Sequence, residues 1–410
     1  MHGHHRFYLR KKFHKVKKPK KIIRVLAFAF FLSELGIWFI RPFLSIYINS
    51  ILNDYALTGI LFSFLALFPV VLDIPIGDFV DLVGRKIVSG TGLLLMALSG
   101  FLYPLAFGFN LLFISRVLQG VGVSFAWDSV WVMVRDETPK GKEAETMSSF
   151  YIGPVLAAII SPVLGGLLIL VWGIQYNFIL FSIFSVVAFF ILIRFIPETL
   201  KNNESLKKGI KDFRKEKVFR KVFKDAKIFH PNLWVCFVLA FLFGMIFQSM
   251  HMMIPLLSEK INAGFVVLGV LFSIMALPGL LQGHLSEWAD RISEEKAILT
   301  ISILGVFVSL GFVFAVNVYL LFVFSFLLSF VVFTMNPPLQ GILTKYAPHS
   351  EEGELTGVHQ TFKHLGFLVG PFILGVLSNF FGLSKSFSFF ALIFGLIAIL
   401  SFLAMKLDFS

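Results

Sequence analysis

Twelve apolar runs of about 20 residues, parted by short charged or turn-rich breaks, leave this chain few ways to fold. A run of that length crosses the hydrocarbon of a bilayer as a helix. In lipid the backbone must satisfy its own hydrogen bonds, which favours helices again. The runs fall near residues 22–48, 55–76, 87–107, 110–134, 147–171, 174–196, 232–256, 263–282, 296–315, 318–341, 356–378 and 384–405. With 57% hydrophobic and 15% charged residues, the composition lies far from the soluble balance. The expected fold class is an all-α membrane protein of twelve transmembrane helices in two pseudo-symmetric six-helix bundles.

Charge sets the expected orientation. If the first segment is cytosolic, 31 of the 36 Lys and Arg fall in cytosolic segments and only Lys260 and Lys385 in external loops. Cytosolic loops carry such an excess in membrane proteins. Arg41, Arg116 and Lys363 lie within spans. The expected organisation is a basic cytosolic tail (1–21), an N-terminal bundle (22–196), a basic cytosolic linker (197–231), a C-terminal bundle (232–405) and a short cytosolic tail (406–410). That places the chain in the cell membrane as a multi-pass protein with both termini cytosolic. The tail lacks a short apolar core followed by a cleavage site, so it reads as retained. Its histidines read as a solvated terminus rather than a metal site.

The net charge of +12 sits mostly in the tail and linker. It suits anionic lipid headgroups, not nucleic acid, because no folded soluble domain carries it. The single cysteine, Cys236, excludes an internal disulfide and argues against cysteine-based metal or redox chemistry. No metal, cofactor or stable protein partner is expected, and the chain is expected to be a monomer.

A stretch of Gly77 to Lys86, "GDFVDLVGRK", has a weaker copy, "GHLSEWADRI", at Gly283 to Ile292. Gly77, Asp81, Gly84 and Arg85 correspond to Gly283, Glu287, Asp290 and Arg291. "SPVLGG" from Ser161 likewise recurs as "GPFILG" from Gly370. Two parallel six-span halves joined by a linker explain both recurrences.

These motifs resemble those of the major facilitator superfamily, and most closely its drug/proton antiporter-type members. Gly77 to Lys86 matches the G-x-x-x-D-x-x-G-R-K loop, and Arg116 to Gly122 matches R-x-x-Q-G-x-G of the fourth span. Ala157 to Gly166 is similar to the fifth-span antiporter motif G-x-x-x-G-P-x-x-G-G. There Pro162, Gly165 and Gly166 match, while Ala157 and Ser161 replace glycines. The resemblance implies that Asp81 caps the eleventh span and that Arg85 pairs with an acid at the inner end of the fourth, here Asp136. Lys86 completes this cytosolic gate. The second-half copy would be a looser gate, because Asp290 replaces a glycine.

Ionisable groups inside spans are costly and face cavities or partners. Glu34 and Arg41 lie two helical turns apart, on one face at about 10 Å along the axis. Glu34 reads either as a carboxylate exchanging a proton for substrate or as half of a fixed pair with Arg41. Arg116, at the motif position, reads as an aid to proton coupling, against packing on backbone carbonyls. Asp128 is a third proton-coupling candidate or a partner of Arg135. Arg41, Gln248 and His251 are substrate-cavity candidates beside Glu34. Asp73 and Lys363 suggest a bridge between bundles, against partners within each half. His251, His359 and His364 read as pH-sensing groups or as satisfied polar contacts, and the methionines 245, 250, 252 and 253 as packing or an adaptable pocket. Pro42, Pro69, Pro75, Pro278 and the Asn336-Pro337-Pro338 run are expected to bend or interrupt helices.

The expected function is proton-coupled secondary transport by alternating access, exporting small amphipathic or cationic molecules. The alternatives are proton-coupled uptake of a sugar or organic anion, and a non-transporting receptor or assembly protein on the same fold. Zinc-ligand spacing, a serine elbow and a phosphate-binding glycine loop are all missing from the sequence, so an enzyme is not expected.

Overall fold

The computed structural model describes residues 19–72, 79–80, 83–138, 143–199, 231–281, 287, 291–348 and 352–407. Every element among the described residues is helical. The first half holds α1 (Pro19–Ile40), α2 (Leu44–Leu52), α3 (Tyr55–Phe64), α4 (Leu67–Leu72), α5 (Arg85–Leu102), α6 (Phe109–Glu137), α7 (Glu143–Trp172) and α8 (Gln175–Phe195). The second holds α9 (Pro231–Lys260), α10 (Phe265–Ala276), α11 (Glu294–Gly311), α12 (Val318–Tyr346), α13 (Glu352–Phe381), α14 (Leu383–Ser386) and α15 (Ser388–Leu407).

Among the described residues, 10 helices are long and apolar enough to cross a membrane. Two shorter apolar helices, Tyr55–Phe64 and Phe265–Leu281, occupy the second and eighth expected spans. Twelve spans with proline-bent helices were expected, and three of the breaks fall at or near those prolines. Pro42 falls in a turn at residues 41–43 that parts α1 from α2. The second span breaks at residues 65–66 before Pro69, and the eighth tightens into a 3₁₀ turn, Leu277–Leu281, at Pro278. Proline removes a helical donor and crowds the preceding turn. Pro337 and Pro338 do not interrupt their helix, since α12 runs through both.

The two halves meet along two helix seams. In one, a methyl group on Gly59 of α3 would lie 2.2 Å from the Pro371 carbonyl oxygen of α13. In the other, a methyl group on Gly269 of α10 would lie 2.2 Å from the Pro162 carbonyl oxygen of α7. Only glycine permits backbones to approach so closely. Ser273 also donates to the Ile159 carbonyl across the second seam, at 2.5 Å.

Both seams close the end of the molecule that carries Asp54. Asp54 caps α3 by accepting from the Leu57 N–H at 3.0 Å. The same oxygen accepts from the Asn379 amide of α13 at 3.0 Å, and the Tyr55 N–H donates back to the Asn379 oxygen at 3.1 Å. The opposite end carries Arg85, Asp136 and Lys345, and is called the motif face below.

Candidate functional site

Glu34 sits in α1 among apolar neighbours and is only 3% exposed. Its Oε1 is buried with no hydrogen-bond partner among the described residues. The wall beside it is aromatic. Phe30, one turn earlier, meets Trp127 edge-on at 4.7 Å and stacks on Phe150 at 5.0 Å. Trp131 continues the wall against Phe150 and Tyr151. The indoles of Trp38 and Trp127 and the charge of Arg41 act on the carboxyl.

Arg41 lies at the turn between α1 and α2, where the first half meets the second. Its guanidinium stands 4.8 Å from the Trp38 ring centre and 5.7 Å from that of Phe247 on α9. A closed, bidentate Glu34–Arg41 bridge is therefore not what holds either group among the described residues, since Oε1 is left over. His251 completes this junction, 6.1 Å from Trp38 and 5.0 Å from Phe247 by ring centres. Its Nδ1 donates to the Phe247 carbonyl at 2.7 Å, because a carbonyl can only accept. Gln248 is buried one turn away on α9.

Arg116 is buried in a different setting. Nε donates to the Leu61 carbonyl at 2.9 Å, Nη1 to Gln119 Oε1 at 2.9 Å and Nη2 to the Phe62 carbonyl at 3.2 Å. Tyr103 donates to the same Gln119 oxygen at 2.7 Å. Of the two readings the sequence allowed, this geometry matches packing on backbone carbonyls: Arg116 staples α6 to the bent second span. Asp128 is half-buried on α6, and Arg135 is exposed in its last turn.

At the motif face Arg85, the first residue of α5, pairs with Asp136 in the last turn of α6. Glu198, which sequence reasoning missed, completes this corner. Its carboxylate accepts from the backbone N–H groups of Arg85 and Lys86, both at 3.1 Å, and so caps α5. Gly84 turns the chain into α5 at φ +106°, and a methyl group there would lie 3.0 Å from Glu198 Oε2. The available signal was an acid just past the sixth span, on the side of the basic loops.

Among the described residues the second half also holds an ion pair at this face. Glu287 and Arg291 are exposed. Glu295, in the first turn of α11, is buried and accepts from Lys345 Nζ at 3.1 Å and from the Tyr346 hydroxyl at 3.3 Å. Gly77, Asp81, Asp73, Gly283 and Asp290 lie outside the described residues. Lys363 is half-buried, with Nζ 5.8 Å from the Phe243 ring centre and 5.9 Å from that of Phe367. His359, one turn before it, is buried, and neither ring nitrogen has a hydrogen-bond partner among the described residues. The fifth-span motif residues Ala157, Ser161, Pro162, Gly165 and Gly166 are all buried, and Pro162 and Gly166 lie in the seam with α10.

Two helical halves sealed at one face, with ionisable side chains buried where they join, define a multi-pass membrane transporter. The chain belongs to the Major Facilitator Superfamily, whose family model matches residues 26–287 and 275–408. It is 29% identical over 373 residues to the uncharacterized MFS-type transporter YuxJ of Bacillus subtilis (87% of this chain, 91% of the relative). It is 24% identical over 376 residues to the multidrug resistance protein MdtG of Citrobacter koseri (88% and 89%). The fold is similar to that of a POT family transporter solved with 5-aminolevulinic acid, with TM-score 0.77 and 13% identity over 95% of this chain and 99% of that one.

Proposed function

We propose that the chain is a proton-coupled secondary transporter that works by alternating access and exports small amphipathic or cationic molecules from the cytosol. The observation that carries this reading is Glu34, a buried carboxyl with an unpartnered oxygen against an aromatic wall. A lipophilic cation would gain cation–π contact with such a wall and charge contact with the carboxylate. Because cation and proton compete for the same group, the exchange is coupled without a second site. A relative that is named a multidrug resistance protein supports the export of small molecules.

In this reading the motif face lies in the cytosol of a cell-membrane protein, and the basic loops touch anionic lipid there. The Arg85–Asp136 pair and the Glu198 cap would hold that face closed in one half of the cycle. The test uses purified protein in liposomes with an imposed pH gradient, comparing wild type with Glu34→Gln. Movement of a lipophilic cation against the proton flow, abolished in the variant, is expected. Unchanged exchange in Glu34→Gln would sink the coupling role.

A second reading, uptake of an organic anion with protons, draws on Arg41 at the junction of the halves.

A further inference from the structure

The guanidinium of Arg41 is arranged unlike that of Arg116. Arg116 spends its donors on two carbonyls and a glutamine. Among the described residues no hydrogen bond or ion pair is drawn to the side chain of Arg41, whose neighbours are the rings of Trp38 and Phe247. Aromatic rings satisfy none of the N–H donors of a guanidinium, which leaves its fork of parallel donors to a ligand. That fork matches a carboxylate, which takes two parallel bonds from it.

The charges acting on Arg41 point the same way. They are those of Glu34, which is attractive, and Arg116, which is repulsive. Arg41 therefore feels one carboxylate and one further guanidinium, a balance with no surplus of negative charge that turns positive when Glu34 carries a proton. His251, the other titratable group in contact, presents its ring between Trp38 and Phe247. A flat apolar body would stack among these rings while its anionic group met Arg41.

We propose that Arg41 is the receptor for a carboxylate borne by an aromatic or similarly flat substrate. The site draws one half of its wall from α1 and the other from α9, so ligand binding ties the two halves together. Proton and carboxylate reinforce each other here, because protonating Glu34 removes the counter-charge of Arg41. A cation at Glu34 competes with the proton instead. The charge of the ligand thus sets the sense of coupling. The inference rests on the chain being a transporter and is independent of its direction.

The test is equilibrium binding of three matched probes to the purified full chain in detergent: 2-naphthoate, its methyl ester, and 2-naphthylmethylammonium. Naphthoate should bind at least about 10-fold more tightly than the other two, as a charge-assisted pair implies. Arg41→Gln should weaken naphthoate by about 10- to 100-fold and leave the ester unchanged. Arg41→Lys keeps the charge but not the fork, so it should recover only part of the loss. Thermal melts establish that each variant is folded. Equal binding of all three probes, or naphthoate binding unchanged in folded Arg41→Gln, overturns the assignment. Tightest binding by the ammonium probe, lost in Glu34→Gln, also overturns it while leaving the export reading standing. Binding of none by folded protein overturns it too, and the liposome flux assay then decides the export reading separately.

Discussion

Gly269→Ala should drive the transporter open at the Asp54 face. The added methyl carbon would lie 2.2 Å from the Pro162 carbonyl oxygen and 2.9 Å from its carbon, and the obstacle is backbone on a neighbouring helix. Ordinary contact starts near 3.4 Å, so α7 and α10 must part by about 1 Å wherever that seam is closed. Overpacking of this kind costs about 1–3 kcal/mol. The cost falls only on the state in which the seam is formed, so the balance should shift toward the open state by about 10- to 100-fold. A reporter cysteine at Gln248, in a chain whose Cys236 is replaced by serine, reads the balance. A membrane-impermeant maleimide applied to the Asp54 face should label it faster by that factor. Gly100→Ala is the control, because its methyl group would meet Ser182 Oγ at 2.3 Å within the first half. Unchanged labelling in folded Gly269→Ala, or an equal rise in Gly100→Ala, would refute the assignment of this seam as the gate.

Two further outcomes follow from the ends of the molecule. The Asp54 carboxyl is held below its ordinary range by the Leu57 N–H and then by the Asn379 amide. Its contribution is fully present above the unfolded value of about 3.9 and is lost as pH falls through the lower folded value. Closure should therefore be insensitive to this group from about pH 5 to 8 and weaken in stronger acid. Asn379→Ala removes only the part that joins the halves, about 0.5–1 kcal/mol at this partly exposed site, and should raise maleimide labelling by a few-fold with the melting temperature almost unmoved. At the motif face, Glu295 is 3% exposed at its side chain and Lys345 is 35% exposed. Lys345→Met should thus cost more, about 1–3 kcal/mol, than Glu295→Gln, because it leaves a buried carboxylate with only the Tyr346 hydroxyl, whereas the partly exposed lysine keeps its access to water. Denaturant melts in detergent rank the two, and the reverse order would contradict the burial argument.

How much of this was legible in the sequence depended on whether a feature is local. Spans are local: a run of apolar residues carries its own reason to be a helix, and even the breaks at Pro42 and Pro278 could be read from residue type. The seams were half legible. Pro162 and Gly166 stood out within a motif, but their partners Gly269 and Phe265 are unremarkable until folding brings α10 against α7. The division of labour between Arg41 and Arg116 was not legible at all. Both are arginines in apolar surroundings, and only the bend of the second span, which turns the Leu61 and Phe62 carbonyls toward Arg116, makes one of them a staple. Trp38 and Phe247 likewise meet over Arg41 only because two distant helices share a depth.

The two halves tie their motif faces through the same helix ends but with opposite charges. In the motif copy of the second half Glu287 and Arg291 are exposed, and Gly283 and Asp290 lie outside the described residues. What the halves share is the tie between the start of the third helix of each bundle and the end of the fourth. In the first half a cation opens α5 and an anion closes α6; in the second an anion opens α11 and a cation closes α12. Coulomb attraction is unchanged when both signs are exchanged, so the contact can persist although neither residue type does. The reversed arrangement also fits its helices better. A carboxylate at the start of α11 and an ammonium at the end of α12 each complement the helix dipole, whereas Arg85 opposes it. That mismatch accounts for Glu198, whose carboxylate supplies the negative cap at the start of α5 that Arg85 cannot. Arg85→Glu paired with Asp136→Lys should therefore make Glu198 a repulsive neighbour rather than a cap.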